Sequence, residues 1–287
     1  MNLSAFSLQF LPQGLAAIES LECLRMLDAE INAMRAHVRA GMSPEDEWEE
    51  YIEKRAEKRV GLQLYPELGL AVQPVSGVMW AGAPKEYEAF YRVFNTERIG
   101  RAVAQVQADP SIKRMVFRFN TPGGYVTGVP EAASMIAGLP QRRKDMAVAG
   151  YIEGMCCSAG TWVSAAVPVL KSAPSATVGS VGVYNAVWDT SRAYQEAGVE
   201  PVLAVDGKYK AMGFPGVPVS DDQRAWLKAG VMETSAEFKG WMRERRPEIS
   251  DDSMEGQTFQ ARRAPAGFHD GTEFDHFDQF LAALLGL

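Results

Sequence analysis

Only three cysteines, Cys23, Cys156 and Cys157, and three histidines, His37, His269 and His276, occur in 287 residues. Three thiols, two of them adjacent, cannot build a disulfide framework, which predicts a protein of a reducing compartment. No apolar run approaches the roughly 18 residues of a membrane span, and Met1 to Gly14 offers neither a cationic start nor a small-residue cleavage site. The expectation is a cytoplasmic chain, neither exported nor anchored, with no membrane partner. Metal and nucleotide signatures are missing as well: there is no HExxH, no Cys/His cluster at ligand spacing, no GxGxxG and no GxxxxGK[S/T]. No metal and no cofactor are expected. Basic charge is not concentrated either, with 29 Lys and Arg against 36 Asp and Glu, a formal net charge of −7. The densest basic run, Arg243, Arg245 and Arg246, is interleaved with Glu244 and Glu248, which argues against nucleic acid as a partner.

What is present is a globular balance, 47% apolar and 23% charged, enough for a sizeable core and incompatible with a disordered or collagen-like chain. From Pro12 to about Val60 apolar residues recur at helical spacing: Leu15, Ile18, Leu21, Leu24, Leu27 and Ile31, then Trp48, Tyr51 and Ile52. Such a stripe must lie against something. Ser43 with Pro44 and the acidic Glu45 to Glu47 mark the start of a second helix in this arm.

After Pro66 the texture changes. Short β-branched runs at Leu70–Val78, Met115–Phe119, Met146–Ile152, Val169–Leu170 and Val178–Val183 read as strands, and Val202–Val205 as a further apolar strand. Between them Tyr87–Asp109, Val129–Gly138 and Ala159–Ala166 read as helices. Strands alternating with helices predict an α/β fold with parallel pairing and right-handed crossovers, built from β-β-α or β-α units. A helix from Asp221 to Arg246, stopped by Pro247, and a docked terminal helix over Phe274–Leu285 complete the pattern. The expected division is a helical arm over residues 1–66 and one domain over 67–287.

Two places could hold chemistry. The first is Asn120-Thr121-Pro122-Gly123-Gly124, directly after an apolar strand, where glycines free backbone N–H groups to hold an anion or an oxyanion; the same residues also make an ordinary Pro-Gly turn. The second is Cys156-Cys157-Ser158-Ala159-Gly160 at a strand-to-helix junction, where Ser158 is either a nucleophile near a helix N-terminus or simply the cap of that helix. A serine nucleophile needs a base. The three histidines read as surface residues, and lysine can substitute when its charge is suppressed; Lys208 and Lys210, in Asp206-Gly207-Lys208-Tyr209-Lys210, are the candidates, each with the alternative of a solvated loop lysine.

In order along the chain, Thr121-Pro122-Gly123-Gly124, Cys157-Ser158-Ala159-Gly160, Thr177-Val178-Gly179-Ser180-Val181-Gly182-Val183 and Gly207-Lys208-Tyr209-Lys210 resemble the serine-lysine peptidases of the signal peptide peptidase A (protease IV) family, which includes the capsid assembly proteases of tailed phages. The resemblance runs from about Leu70 to the C-terminus, where Glu255-Gly256-Gln257-Thr258-Phe259 and Gly267-Phe268-His269-Asp270 resemble late elements of the family. It implies a Clp protease/crotonase-like fold. By position, Ser158 matches the nucleophile, Lys210 the general base, Gly123 and Gly124 the oxyanion-hole turn, and Ser180 a serine that helps hold the lysine.

The implied activity is a serine endopeptidase acting on polypeptides and assembled as a homo-oligomer. Ser-Ala after the nucleophile with Trp162 downstream is nearer the phage type, as is the expected lack of an anchor, which implies phage or prophage head maturation, with scaffolding, portal or capsid proteins as substrates inside an assembling prohead. Cys157 beside the nucleophile departs from the family pattern. A soluble cellular peptidase, a crotonase-like acyl-CoA enzyme and a non-catalytic scaffold are the competing readings; the acyl-CoA enzyme would want paired carboxylates beside the Gly turn, and none occur there.

Overall fold

The computed structural model describes residues 46–287, with side chains from Glu49 onward. Cys23, His37 and the stripe from Leu15 to Ile31 lie outside the described residues. These divide into two compact units, one of 46–182 with Phe238–Leu287 and a smaller one of Val183–Glu237.

In the larger unit, helix α1 (Asp46–Val60) leads into strands β1 (Gln63–Tyr65), β2 (Leu70–Ser76) and β3 (Val78–Met79). Helix α2 (Lys85–Phe90), strand β4 (Val93–Phe94) and helix α3 (Glu97–Ala108) precede β5 (Arg114–Thr121). Helix α4 (Val129–Arg142) crosses to β6 (Ala147–Cys157), which feeds helix α5 (Ala159–Ser164), β7 (Val169–Ser172) and β8 (Thr177–Gly179). The result is a mixed α/β architecture. β2, β5 and β6 pair in parallel at the centre of a mixed sheet, β1 closes one side and β9 (Thr258–Gln260) pairs antiparallel with β8 on the other.

Parallel strands covered on both faces need apolar residues throughout. β2 is accordingly buried from Leu70 to Val75. The one polar residue of that buried run, Gln73, is accommodated because its side-chain N–H groups donate to the carbonyls of Val60 and Pro74, both at 2.8 Å. α3 buries Ile99, Ala102, Val103 and Val106, and α4 buries Ala132, Ala133, Ile136 and Leu139. α1 packs against α2: Ile52 and Ala56 form a buried cluster with Ala89 and Phe90. At the other end of the chain, helix α8 (Phe277–Leu285) sets Phe277 and Phe280 against Tyr151.

β6 organises the site. Its first half pairs with β7 through Ala149–Ile152 and its second half with β8 through Met155–Cys157. Between Phe119 and Thr121 its register against β5 slips, so that Thr121 faces Cys156. An irregularity of this kind bends a strand and re-aims the residues beyond it. Here the strand runs on into Ser158.

Three sequence expectations are corrected. The single helix expected over Tyr87–Asp109 is two helices separated by β4. Arg92 turns back at φ 51° so that its carbonyl accepts the Val78 N–H (2.8 Å) and Phe94 accepts that of Trp80 (3.0 Å). The strand expected over Val178–Val183 stops at Gly179, because Ser180 sits at φ 56°. Val202–Val205 is not a strand; Val202 is 95% exposed, and no neighbouring strand takes up its backbone groups.

The smaller unit has little regular structure: helix α6 (Ser191–Glu196) and the first part of helix α7 (Asp221–Arg245). Asp189 holds it together. Its carboxylate accepts the Ser191 hydroxyl (2.6 Å), the Val219 N–H (3.0 Å) and Arg224 (3.1 Å), which lowers its pKa to about 2, the Ser191 hydroxyl contributing most. Among the described residues no helix is long and apolar enough to cross a membrane.

Candidate active site

β6 ends in two buried cysteines, and α5 begins at once with Ala159. The one residue between them, Ser158, has φ 54° and ψ −121°, a backbone conformation that a residue with a side chain rarely adopts. Holding it costs roughly 1–3 kcal/mol and requires the surroundings to over-determine it. They do so here: the Ser158 N–H donates to the Gly179 carbonyl (3.0 Å), its own carbonyl accepts the Trp162 N–H (3.0 Å), and every residue of α5 is buried. The hydroxyl makes no capping hydrogen bond to the helix it precedes. A strained, half-exposed serine on a sharp strand-to-helix turn is a geometry that presents a hydroxyl to a substrate rather than to its own helix.

The Gly turn is built against this elbow. Gly123 sits at φ 105°, and a Cβ placed on it would lie 2.6 Å from the Ser158 Cβ and 2.8 Å from the Cys157 carbonyl oxygen. Gly124 serves differently: its φ is not left-handed, but a Cβ there would lie 2.0 Å from the Met79 carbonyl oxygen. Met79 donates to the Gly123 carbonyl (2.8 Å) and accepts from the Tyr125 N–H (2.9 Å), which bridges the turn to β3. Thr121 fixes the other side. Its hydroxyl accepts the Gly123 N–H (3.1 Å) and donates to the Gly77 carbonyl (2.7 Å), and its methyl is the atom a Cβ on Gly160 would strike, at 2.6 Å. The Gly123 N–H is therefore occupied. Those of Gly124 and Ala159 have no acceptor among the described residues.

Both described thiols are unsuited to nucleophilic work. Burial pushes Cys156 far above the ordinary thiol range, and its thiol lies 3.3 Å from the Ser164 hydroxyl. Cys157 is raised by burial to about 11, with its sulfur 3.6 Å from the Thr177 carbonyl. Only a thiolate would compete with Ser158.

Ser180 comes directly after the strand whose Gly179 carbonyl receives the Ser158 N–H. It is a second strained serine, φ 56°, and its N–H donates to Gln257 at 2.6 Å. The late motif Glu255-Gly256-Gln257 thus clamps the end of β8: a Cβ on Gly179 would lie 2.6 Å from the Gln257 oxygen, and the Gly256 N–H donates to Val181 (3.0 Å).

The described histidines have structural tasks. His269 accepts the Gly271 N–H at Nδ1 (3.2 Å) and faces the Ala261 carbonyl with Nε2 (2.9 Å), which holds the ring in place. His276 caps α8 in a capping box with Gln279.

Lys208 and Lys210 belong to the smaller unit. Lys208 pairs with Asp222 at 2.9 Å and lies over the Tyr209 ring; the Asp222 hydrogen bond raises its pKa, which keeps it charged. Its carbonyl accepts from buried Gln223, and Tyr209 stacks on Trp226 at 5.5 Å, so the turn carrying Lys210 is held from α7. Lys210 itself is exposed, with its N–H donated to Gly207 (3.1 Å) and its ammonium in no ion pair among the described residues.

Within the larger unit, then, Ser158, Gly123 and Gly124 meet, with Ser180 on the neighbouring strand end. Thr121, Met79, the Ala159 N–H and the Gln257 carbonyl were not singled out by sequence reasoning. Thr121 and Gln257 stand inside the motifs Thr121–Gly124 and Glu255–Phe259, but their tasks depend on partners distant in the chain.

The strained Ser158 faces the Gly123 turn at the end of the sheet, and residues 140–266 match the sequence model described as Peptidase family S49. Over that stretch the chain is similar to the Peptidase S49 family. It is similar to Capsid assembly protease C of Escherichia phage lambda, 29% identical over 170 residues, which cover 59% of this chain and 38% of that protein. It is also similar to Protease 4 of Salmonella typhi, 27% identical over 97 residues, covering 34% of this chain and 15% of that protein. The chain spans well under half the length of these relatives.

Proposed function

We propose that this chain is a serine endopeptidase in which Ser158 is the nucleophile and Lys210 the general base, on a Clp protease/crotonase-like fold. The observation that carries the reading is the strained Ser158 elbow in contact with Gly123. In the proposed reaction neutral Lys210 takes the proton from Ser158 Oγ as the oxygen attacks the substrate carbonyl. The oxyanion is held by the N–H groups of Gly124 and Ala159, the two unengaged donors at the elbow, while Gly123 contributes by having no side chain there. The lysine ammonium then protonates the leaving amine, and water hydrolyses the acyl-enzyme by the same route in reverse. Ser180 helps orient the lysine.

The role that suits this activity is phage or prophage head maturation, with scaffolding, portal or capsid polypeptides as substrates in the cytoplasm or inside a prohead. The similarity to a phage capsid assembly protease supports it. Self-association is part of the proposal, and large apolar residues exposed on the smaller unit, among them Tyr184, Trp188, Phe214 and Trp226, favour it. Hydrolysis of a fluorogenic peptide library by the purified chain, compared with Ser158→Ala, tests the reading. Turnover by the wild type and none by the variant is expected; equal turnover by both would overturn it.

A further inference from the structure

The densest basic run of the chain, Arg243, Arg245 and Arg246, has no part in the proposed chemistry. One of its members, Arg245, lines an open cleft of about 360 Å³ within the larger unit. α4 contributes Ser134, Gly138, Gln141 and Arg142 to this cleft, and the end of α7 contributes Trp241 and Arg245. None of these residues belongs to the Ser158 elbow or to the Gly turn. The lining holds two guanidinium groups and no carboxylate.

Both guanidiniums are held by the protein. Arg142 lies back along its own helix, with Nε donating to the Gln107 side chain (3.0 Å) and Nη2 to the Met135 carbonyl (2.9 Å), and it has no ion pair among the described residues. It can lie there because residue 138 is glycine: a Cβ at Gly138 would stand 2.5 Å from Arg142 Nη1. Glycine inside a helix costs about 1 kcal/mol relative to alanine, and the space it leaves is taken by this guanidinium. Arg245 stacks on the Trp241 ring at 4.6 Å, and the Trp241 indole N–H is anchored to the Trp162 carbonyl (2.9 Å). Stacking fixes the plane of the guanidinium. Yet Arg245 is poorly satisfied. Its Nε is buried without a hydrogen-bond partner, and its one ion pair among the described residues is with the adjacent, exposed Glu244 (3.1 Å), a kind of pair worth little in water.

We infer that this cleft binds a side-chain carboxylate of an acidic polypeptide segment. Two oriented guanidiniums offer forked donors that match a carboxylate, and the Ser134 hydroxyl and Gln141 amide add neutral donors beside them. The helix ends choose the kind of anion. α4 ends at Arg142 and α7 at Arg245, and a helix C-terminus carries roughly half a negative charge. That field opposes a dianionic phosphate about twice as strongly as a singly charged carboxylate. The chain as a whole, with a formal net charge of −7, repels an acidic polypeptide, so any preference for acidic side chains has to arise at a local basic site such as this one.

The test uses the full chain and two fluorescein-labelled decapeptides, one of alternating Glu and Gly and one of alternating Gln and Gly, followed by fluorescence anisotropy at low salt. The Glu peptide is expected to bind about tenfold tighter or more, the worth of charge-assisted hydrogen bonds. Arg142→Gln and Arg245→Gln should each weaken it about fivefold or more. Gly138→Ala puts a methyl where the Arg142 guanidinium lies; it should weaken binding too, while thermal denaturation shows no loss of stability, which separates the effect from unfolding. Arg243→Gln removes the same charge from outside the cleft and should change affinity by less than about twofold. Equal binding of the two peptides, equal losses in Arg243→Gln and Arg142→Gln, or wild-type affinity in the three cleft variants would overturn the inference. Displacement of the Glu peptide by inorganic phosphate, beyond the effect of sodium chloride at the same ionic strength, would overturn the choice of a carboxylate.

Discussion

Gly123 and Ser158 are packed so closely that a single methyl on the glycine would lie 2.6 Å from the serine Cβ. Each is in left-handed backbone, φ 105° and φ 54°, and each holds the other's position. Gly123→Ala must therefore displace the elbow as well as strain the turn. The expected result is a loss of about 1–3 kcal/mol of stability and at least a hundredfold loss of peptidase activity, read by thermal denaturation and peptide turnover. Gly230→Ala is the control: it lies in α7 with open space around it, and should raise stability by about 1 kcal/mol.

With Ser158 proposed as the nucleophile and the Cys157 thiol raised by burial to about 11, Cys157→Ala should retain most activity, and iodoacetamide at neutral pH should leave turnover intact. The linkage has a definite sign. Burial raises the folded thiol from 9.0 to about 11, so Cys157 favours the fold below about 9, and that contribution is lost as pH rises toward 11. Urea titrations between pH 8 and 11 should show a smaller alkaline loss of stability in Cys157→Ala than in wild type.

Lysine can serve as a base because it can be neutral; arginine cannot. Lys210→Arg should be as inactive as Lys210→Met. Lys208→Arg keeps the ion pair with Asp222 and should be nearly silent. Retained activity in Lys210→Arg, or loss in Lys208→Arg, would displace Lys210 from its proposed role.

Self-association should depend on the smaller unit. Trp188 and Trp226 are 70% and 54% exposed, an unusual display of indole surface for a free monomer. Sedimentation of wild type at micromolar concentration should show an oligomer, and Trp188→Glu combined with Trp226→Glu a smaller species. A wild-type monomer would contradict this.

How much of this was legible beforehand depends on range. Buried parallel strands such as Leu70–Val75 and Met115–Phe119 announce themselves, because both faces must be apolar. The stop at Pro247 and the docked terminal helix that begins near Phe274 are likewise local signals. Arg92 was not legible: nothing near it marks a reversal, and the turn exists because β3 takes up the carbonyls of Arg92 and Phe94. Val202–Val205 misled for the converse reason, since β-propensity is realised only beside another strand. At the site, the sequence left Ser158 between cap and nucleophile. Backbone strain and the missing cap bond are three-dimensional facts, as is the diversion of the Gly123 N–H to Thr121, which moves the proposed oxyanion donors to Gly124 and Ala159.

The central claim is that Ser158 is an activated nucleophile. Incubating the full chain with a fluorophosphonate and mapping the adduct by peptide mass spectrometry tests it directly. One phosphonylated residue is expected, Ser158, with peptide turnover falling as the adduct accumulates and both absent from Ser158→Ala. An adduct on another residue, or peptide turnover that survives full modification of Ser158, would contradict it.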